Sequence, residues 1–290
     1  MDIYSLAAIA IILASLALGA LKRFSLTLML VIGNLLVFFL SALGPGNQIR
    51  LDLGFRPIYL ETGQDLYALL TSMFVHSGAY HIFANMLFLF LFGWPLEERV
   101  GKIKMAAVYF AAGVIGLLFE SLVRWGESTI IIGASGAIAG LVGALFILYP
   151  REKMMLPLFV IILPNVPVWA AAVAFFVTQL PYVFGVGGQG VAFTAHLAGF
   201  LAGMAVGSLF PKVSHAAKVA RIDAGKLEDL ATTPELKDAL DKIRGESQTD
   251  IRKAWLEYFA KRAKCPKCGS GLELKGDRMV SECGYEVRFR

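Results

Sequence analysis

The octapeptide Gly133-Ala134-Ser135-Gly136-Ala137-Ile138-Ala139-Gly140 stands where a short polar loop, Arg124 to Thr129, gives way to a long apolar run. A serine flanked by small residues at the first turn of such a run has an unobstructed hydroxyl. The free backbone N–H groups of a helix N-terminus point at whatever sits there. Those donors can stabilise an oxyanion formed when Ser135 attacks a carbonyl. Small residues are also the usual glue between membrane helices, and these eight residues alone favour packing. The balance turns further along the chain, at His196.

Outward from that point the chain is strongly apolar. Of 290 residues, 57% are hydrophobic and only 17% are charged, which sets it apart from an ordinary soluble domain. The charges are also segregated. Residues 1–210 carry ten Lys+Arg and nine Asp+Glu, and residues 211–290 carry seventeen and thirteen. The expectation is an all-α polytopic membrane domain followed by a soluble tail. The net charge of +5 follows from basic residues gathered on the cytoplasmic side, so no nucleic-acid partner is expected.

Seven apolar segments are expected to span: Ile3–Leu21, Leu26–Leu43, about Leu69 to Trp94, Met105–Val123, Ser135 to Tyr149, about Pro167–Phe184, and Val191–Phe210. The first begins with Asp2 and has its basic residues, Lys22 and Arg23, after the run, which suits an N-out anchor. A long connection from Gly44, with Arg50, Asp52, Arg56 and Glu61, is expected to be a functional or interfacial element. Met154–Asn165 is apolar but holds Pro157 and Pro164, so it is read as an interfacial or re-entrant connection. Lys22, Arg23, Arg99, Lys102, Lys104, Arg151 and Lys153 fall on alternate connections together with the tail. This places the N-terminus outside, the tail in the cytosol and Ser135 at the outer end of its helix.

An ionisable side chain inside a span is a functional hypothesis by default. His196 lies about one turn inside the last span, where Gly199, Gly203 and Gly207 recur every four residues. Gly136 and Gly140 do the same beside Ser135. Two such faces bring backbones close, which would put the imidazole at the hydroxyl as general base to nucleophile. His81 and Asn85, at i and i+4, share a face and can both donate to an oxyanion; interhelical hydrogen bonding is their structural alternative. His76 is expected to be structural, and His215 has no evident partner. No His-Glu-x-x-His and no pair of intramembrane aspartates is present, so zinc and aspartyl chemistries lack their signatures. A transporter would need a relay, and beyond Arg99 and the structural His76 the spans offer Glu120, His81 and His196.

The motifs His76-x4-His81-x3-Asn85, Gly133-x-Ser135-Gly136 and His196-x2-Gly199-x3-Gly203, in this order, resemble those of rhomboid-family intramembrane serine proteases. The resemblance covers roughly Leu26 to Phe210. It implies a six-helix bundle plus one extra N-terminal transmembrane helix, and a Ser135–His196 dyad without a carboxylate member. It implies an oxyanion hole from His81, Asn85 and the Ser135 N–H, and no catalytic cofactor. Substrates would be transmembrane helices cut near the outer membrane face, with membrane lipids as the other partners. The loop Leu43–Thr71 would be the family's membrane-embedded first loop, and Gly185–Gly190 the cap above the site. Two positions depart from the pattern: Leu66-Tyr67 stand where many members have Trp-Arg, and Ala139 where some place an aromatic. The alternative is a catalytically inactive rhomboid-like protein that binds and escorts membrane clients.

The expected division is an extra helix over 1–23, a rhomboid-like protease domain over 24–211, a cytosolic helical linker over 212–264 and a zinc-ribbon-like segment over 265–290. Thr233-Pro234-Glu235 opens one tail helix, with Leu236, Leu240 and Ile243 on one face. Thr249 is expected to cap another, whose stripe is Ile251, Ala254, Trp255, Tyr258 and Phe259. Cys265-Pro266-Lys267-Cys268-Gly269 reads as a zinc knuckle, and Cys283-Gly284 as a second one short of a cysteine. Either Cys265, Cys268 and Cys283 hold a structural zinc with another ligand, or the ribbon is degenerate. The expected location is a prokaryotic plasma membrane.

Overall fold

A computed structural model of the chain describes residues 1–44, 46–158, 161–177, 192–210, 223–246 and 249–289. It is mostly helical and divides into two compact units, Met1–Lys212 and Val213–Arg290.

In the first unit, α1 (Ile3–Ala20) starts on Asp2, whose side chain accepts from the Ser5 N–H. Helix α2 (Leu26–Leu43) starts on Ser25, which accepts from Leu28 N–H. Three short helices follow in the first loop: α3 (Gly46–Leu53), α4 (Ile58–Thr62) and α5 (Ala68–Thr71). A 3-10 turn, Ser72–Phe74, then leads to α6 (Ala79–Phe88), which runs through a π-helical turn, Leu89–Gly93, into α7 (Trp94–Val100). Helix α8 (Lys102–Val123) completes a set of four helical runs long and apolar enough to cross a membrane. Three shorter apolar helices follow: α9 (Ser135–Leu148), α10 (Val168–Val177) and α11 (Phe193–Ser208). The chain is a multi-pass integral membrane protein.

Two expected boundaries change. The third span starts at Ala79 rather than Leu69, because the chain leaves helical geometry between Val75, which is extended, and Gly78. It also continues through Pro95 to Val100, with the π-helical turn Leu89–Gly93 just before the proline. Met154–Asn165 lies within an antiparallel hairpin, β1 (Lys153–Leu158) against β2 (Ile161–Pro167), with Lys153 opposite Pro167 and Leu158 opposite Ile161. Pro157 and Pro164 bar a helix there, whereas a two-stranded ribbon has an outward edge on which a missing N–H costs nothing. The expected cap at Gly185–Gly190, and His215, lie outside the described residues.

At the end of the bundle away from Ser135, one buried and three half-buried charges fasten the helices. Glu97 accepts from the Leu26 and Thr27 N–H groups at 2.9 and 2.7 Å and from the Ser25 and Thr27 hydroxyls at 2.8 and 2.7 Å. It caps α2 from another element, at the end of the helix where a negative charge is favoured. Lys102 donates to the carbonyls of Gly19, Leu21 and Phe24 at the end of α1, and Arg99 pairs with Glu152 at 2.7 Å.

Helix α9 is the axis of the bundle. Every residue from Ala137 to Leu145 is buried, and it lies against α8 and α11 through small residues. A Cβ on Gly203 would fall on the backbone of Gly140, and one on Gly199 on the Gly136 carbonyl. At Gly140 a Cβ would strike Ala112. Gly136 meets only the Ala195 carbonyl, at an ordinary 3.5 Å. Gly143, which sequence reasoning passed over, is as tight against the Phe200 carbonyl.

The second unit has one core of its own. A 3-10 turn (Ala224–Leu230) precedes α12 (Pro234–Gly245), capped by Thr233 accepting from Leu236 N–H at 3.3 Å. Helix α13 spans Thr249–Arg262, and β3 (Leu272–Lys275), β4 (Arg278–Ser281) and β5 (Glu286–Arg288) form an antiparallel sheet in that order. Leu236, Leu240 and Ile243 are buried as expected, together with Phe259, Met279 and Phe289. The inward face of α13 differs from the expected stripe. Leu256 and Ala260 are buried alongside the expected Phe259, Trp255 and Tyr258 pack partly buried against the same core, and Ile251 is 42% exposed.

Candidate active site

Ser135 is the first residue of α9, placed by a turn that only glycine accommodates. Gly133 has φ +115°, and a Cβ there would sit 2.6 Å from Nε2 of His81. Its N–H donates to the Ser72 carbonyl at 2.9 Å, tying the loop to the 3-10 turn. Upstream, Phe55 and Ile131 exchange backbone hydrogen bonds at 3.1 and 2.7 Å, and Ile58 N–H donates to Glu127 at 3.0 Å. The first loop is thereby stitched to the approach to Ser135. Tyr67, one of the two first-loop residues expected to depart from the rhomboid pattern, donates its hydroxyl to the Asp52 carbonyl at 2.9 Å, and the Thr71 hydroxyl donates to the Leu53 carbonyl at 2.9 Å. The loop is anchored by other groups than the Trp-Arg pair.

His196 lies in the first turn of α11 and is 4% exposed. Its Nε2 is 2.6 Å from the Ser135 hydroxyl oxygen, hydrogen-bond distance for a serine donating to a neutral imidazole. Its Nδ1 is buried and has no hydrogen-bond partner among the described residues.

His81 stands on α6 with its Nε2 edge against Gly133. The Ser77 N–H donates to its Nδ1 at 3.3 Å, and the Ser77 hydroxyl lies 3.0 Å from the same atom. A backbone N–H can only donate, so Nδ1 accepts and Nε2 carries the proton, facing the serine loop. Asn85 is buried on the next turn and uses one amide hydrogen on the His81 carbonyl at 2.9 Å, leaving its second hydrogen for another acceptor. His76 packs edge-on to His81 with centroids 4.9 Å apart. The sequence-nominated groups thus divide into a hydrogen-bonded pair, Ser135 and His196, and a second pair, His81 and Asn85, joined to each other, of which His81 packs against Gly133 of the serine loop.

The family model for the Rhomboid domain matches residues 63–212, more than half of the chain. The chain belongs to the rhomboid family. This rhomboid is 31% identical over 150 residues to Rhomboid-related protein 2 of Mus musculus, a match covering 51% of this chain and 49% of that protein. It is 32% identical over 149 residues to Rhomboid protease AarA of Providencia stuartii, covering 45% and 52%. It is also 35% identical over 86 residues to Inactive RHOMBOID-like protein 8 of Arabidopsis thaliana, covering 30% and 24%. These matches span about half or less of each relative's length.

Sequence reasoning missed three contributors to the site. Ser77 fixes the His81 tautomer, Gly133 admits the His81 ring, and Glu120 reaches the backbone beside His196. Gly133 was quoted only as part of a motif, and Glu120 only as a relay candidate.

In the tail, Cys265, Cys268 and Cys283 bring their sulfurs within 4.8 Å of one another, with Cys265 and Cys283 3.6 Å apart. Tetrahedral zinc with Zn–S near 2.3 Å sets sulfurs about 3.8 Å apart, so the three fit one ion with little movement. Hydrogen bonding from Ser270 draws the Cys268 thiol down to about 6, which favours the thiolate a metal requires.

Proposed function

We propose that this rhomboid is an intramembrane serine endopeptidase that cuts transmembrane-helix substrates with Ser135 and His196. The observation that carries the reading is the 2.6 Å approach of His196 Nε2 to the Ser135 hydroxyl, inside an apolar bundle at the start of a helix. Ser135 Oγ attacks the scissile carbonyl carbon as its proton passes to His196 Nε2. The carbonyl oxygen becomes an oxyanion held by the Ser135 N–H, the protonated Nε2 of His81 and the Asn85 amide. Collapse breaks the C–N bond, and the amine leaves with the proton held on His196. Water, deprotonated by the same imidazole, then releases the acyl group as a carboxylic acid and restores the serine.

The rival reading is a silent client-binding rhomboid, prompted by the match to an Arabidopsis protein described as inactive. Fluorophosphonate labelling separates the two. We expect label on the wild-type chain and none on Ser135→Ala; an unlabelled wild type in folded form favours the rival. Co-expression with a panel of single-span reporters would then give the substrate class.

The distribution of basic residues supports an N-terminus outside and a tail in the cytosol. We assign Cys265, Cys268 and Cys283 to a structural zinc, which would tie the 265–268 turn to the strand end at Cys283 and take no part in cleavage. Metal analysis of the purified full chain tests it, and well under one zinc per chain rejects it.

A further inference from the structure

We propose that Glu120 is a positioning residue for His196, its buried carboxylate holding the first turn of α11 and thereby the place of the imidazole. The inference rests on the protease reading above. Glu120 is in the last turn of α8 and only 2% exposed. Oε1 accepts from Arg124 Nε at 2.7 Å, and Oε2 accepts from the Ala195 N–H at 3.2 Å.

Ala195 is the residue before His196, and its N–H is one of the first-turn donors that a helix cannot satisfy internally. No side chain at Ala192 caps α11. The cap therefore comes from a different helix, as a negative charge at the end of the helix dipole that favours one. One turn earlier on α8, a Cβ on Gly116 would lie 2.6 Å from the Ala195 carbonyl oxygen. Helix α8 thus meets both backbone polar groups of Ala195, the N–H through a carboxylate and the carbonyl through a bare glycine.

The imidazole itself has little else to orient it. His196 Nδ1 is without a partner among the described residues, so ring placement depends on the backbone that carries it and on Ser135. In triads the carboxylate touches the imidazole directly. Here a carboxylate touches the adjacent peptide N–H. A buried carboxylate is costly unless paired, and Arg124, still 32% exposed, supplies the counter-charge from the helix end.

The test uses the detergent-solubilised full chain as wild type, Glu120→Ala, Glu120→Gln and Arg124→Gln. Misplacing a reacting group by about 1 Å costs on the order of 10²-fold. Glu120→Ala should therefore be phosphonylated at Ser135 by a fluorophosphonate, with loss of fluoride, about 10²-fold more slowly, and on a single-span reporter substrate kcat should fall with KM within about twofold of wild type. Hydrogen exchange should quicken in the peptide spanning residues 192–200. Glu120→Gln, whose amide oxygen still accepts the Ala195 N–H, should recover to within about tenfold of wild type, and Arg124→Gln should lose less than Glu120→Ala. Wild-type labelling rates in Glu120→Ala, or equal loss in the Gln and Ala variants with unchanged exchange, would overturn the proposal. If the wild type itself fails to label, the protease reading falls. The exchange arm then decides the contact alone, and unchanged exchange in Glu120→Ala rejects it. If Glu120→Ala does not fold, the ratio of Glu120→Gln to wild type in labelling and exchange takes its place.

Discussion

A hydroxyl becomes a nucleophile only where something takes its proton and something else receives the charge it creates. In the proposed mechanism those two duties fall on different residues. Ser135→Ala removes the attacking atom, and activity on any substrate should vanish. Asn85→Ala removes one of several oxyanion donors and should cost about 10²–10³ in kcat, measured with a single-span reporter; equal residual activity in the two variants would contradict these roles. Gly133→Ala should behave like the donor loss, for a reason the motif alone does not disclose. The new methyl would lie 2.6 Å from His81 Nε2, at a φ of +115° that alanine resists. His81 must then swing away, and we expect labelling about 10²–10³ slower in protein that still elutes as a folded species. Ser135, His196, His81 and Asn85 were legible in the sequence because reactive residue types are rare in apolar spans. Ser77 and Glu120 were not, because each acts through a backbone N–H, which any residue type supplies.

Between elements, the energetics rest on how closely backbones approach. Helices α9 and α11 meet where Gly140, Gly199 and Gly203 leave no room for a methyl. Gly203→Ala would place a carbon on the Gly140 backbone and force the pair apart, destabilising by about 1–3 kcal/mol. Because Ser135 and His196 lie on these same two helices, labelling should fall along with the thermal midpoint in detergent. A Gly136→Ala variant, where the neighbour sits at 3.5 Å, should lose less of both. The four-residue glycine spacing made this contact readable in advance. The break at Val75–Gly78 and the hairpin from Lys153 to Pro167 were not readable from hydropathy. The short His76-Ser77-Gly78 step is outweighed by the apolar residues on either side of it, and the prolines of the second segment exclude a helix without specifying a ribbon. The face chosen by α13 was ambiguous for a related reason: two overlapping stripes exist, and the neighbouring sheet selects one.

At the level of the whole chain, the membrane unit and the tail have separate cores, so a disturbance of one should leave the other standing. Stripping metal from the full-length protein with a strong chelator should expose residues 263–289 to proteolysis while the Ser135 labelling rate stays at its starting value. Loss of both together would show a dependence that the separate cores give no reason to expect. The length of α9 has a consequence of its own. Fourteen residues make about 21 Å of helix, against a hydrocarbon slab about 30 Å thick. A central helix that short cannot reach both boundaries, so the serine end is left submerged if the other end is at its own surface. Hydrolysis would then draw its water down a narrow shaft, and inhibitors would be sorted by girth. A slim sulfonyl fluoride should slip in where a folded protein inhibitor of soluble serine proteases is stopped at the rim.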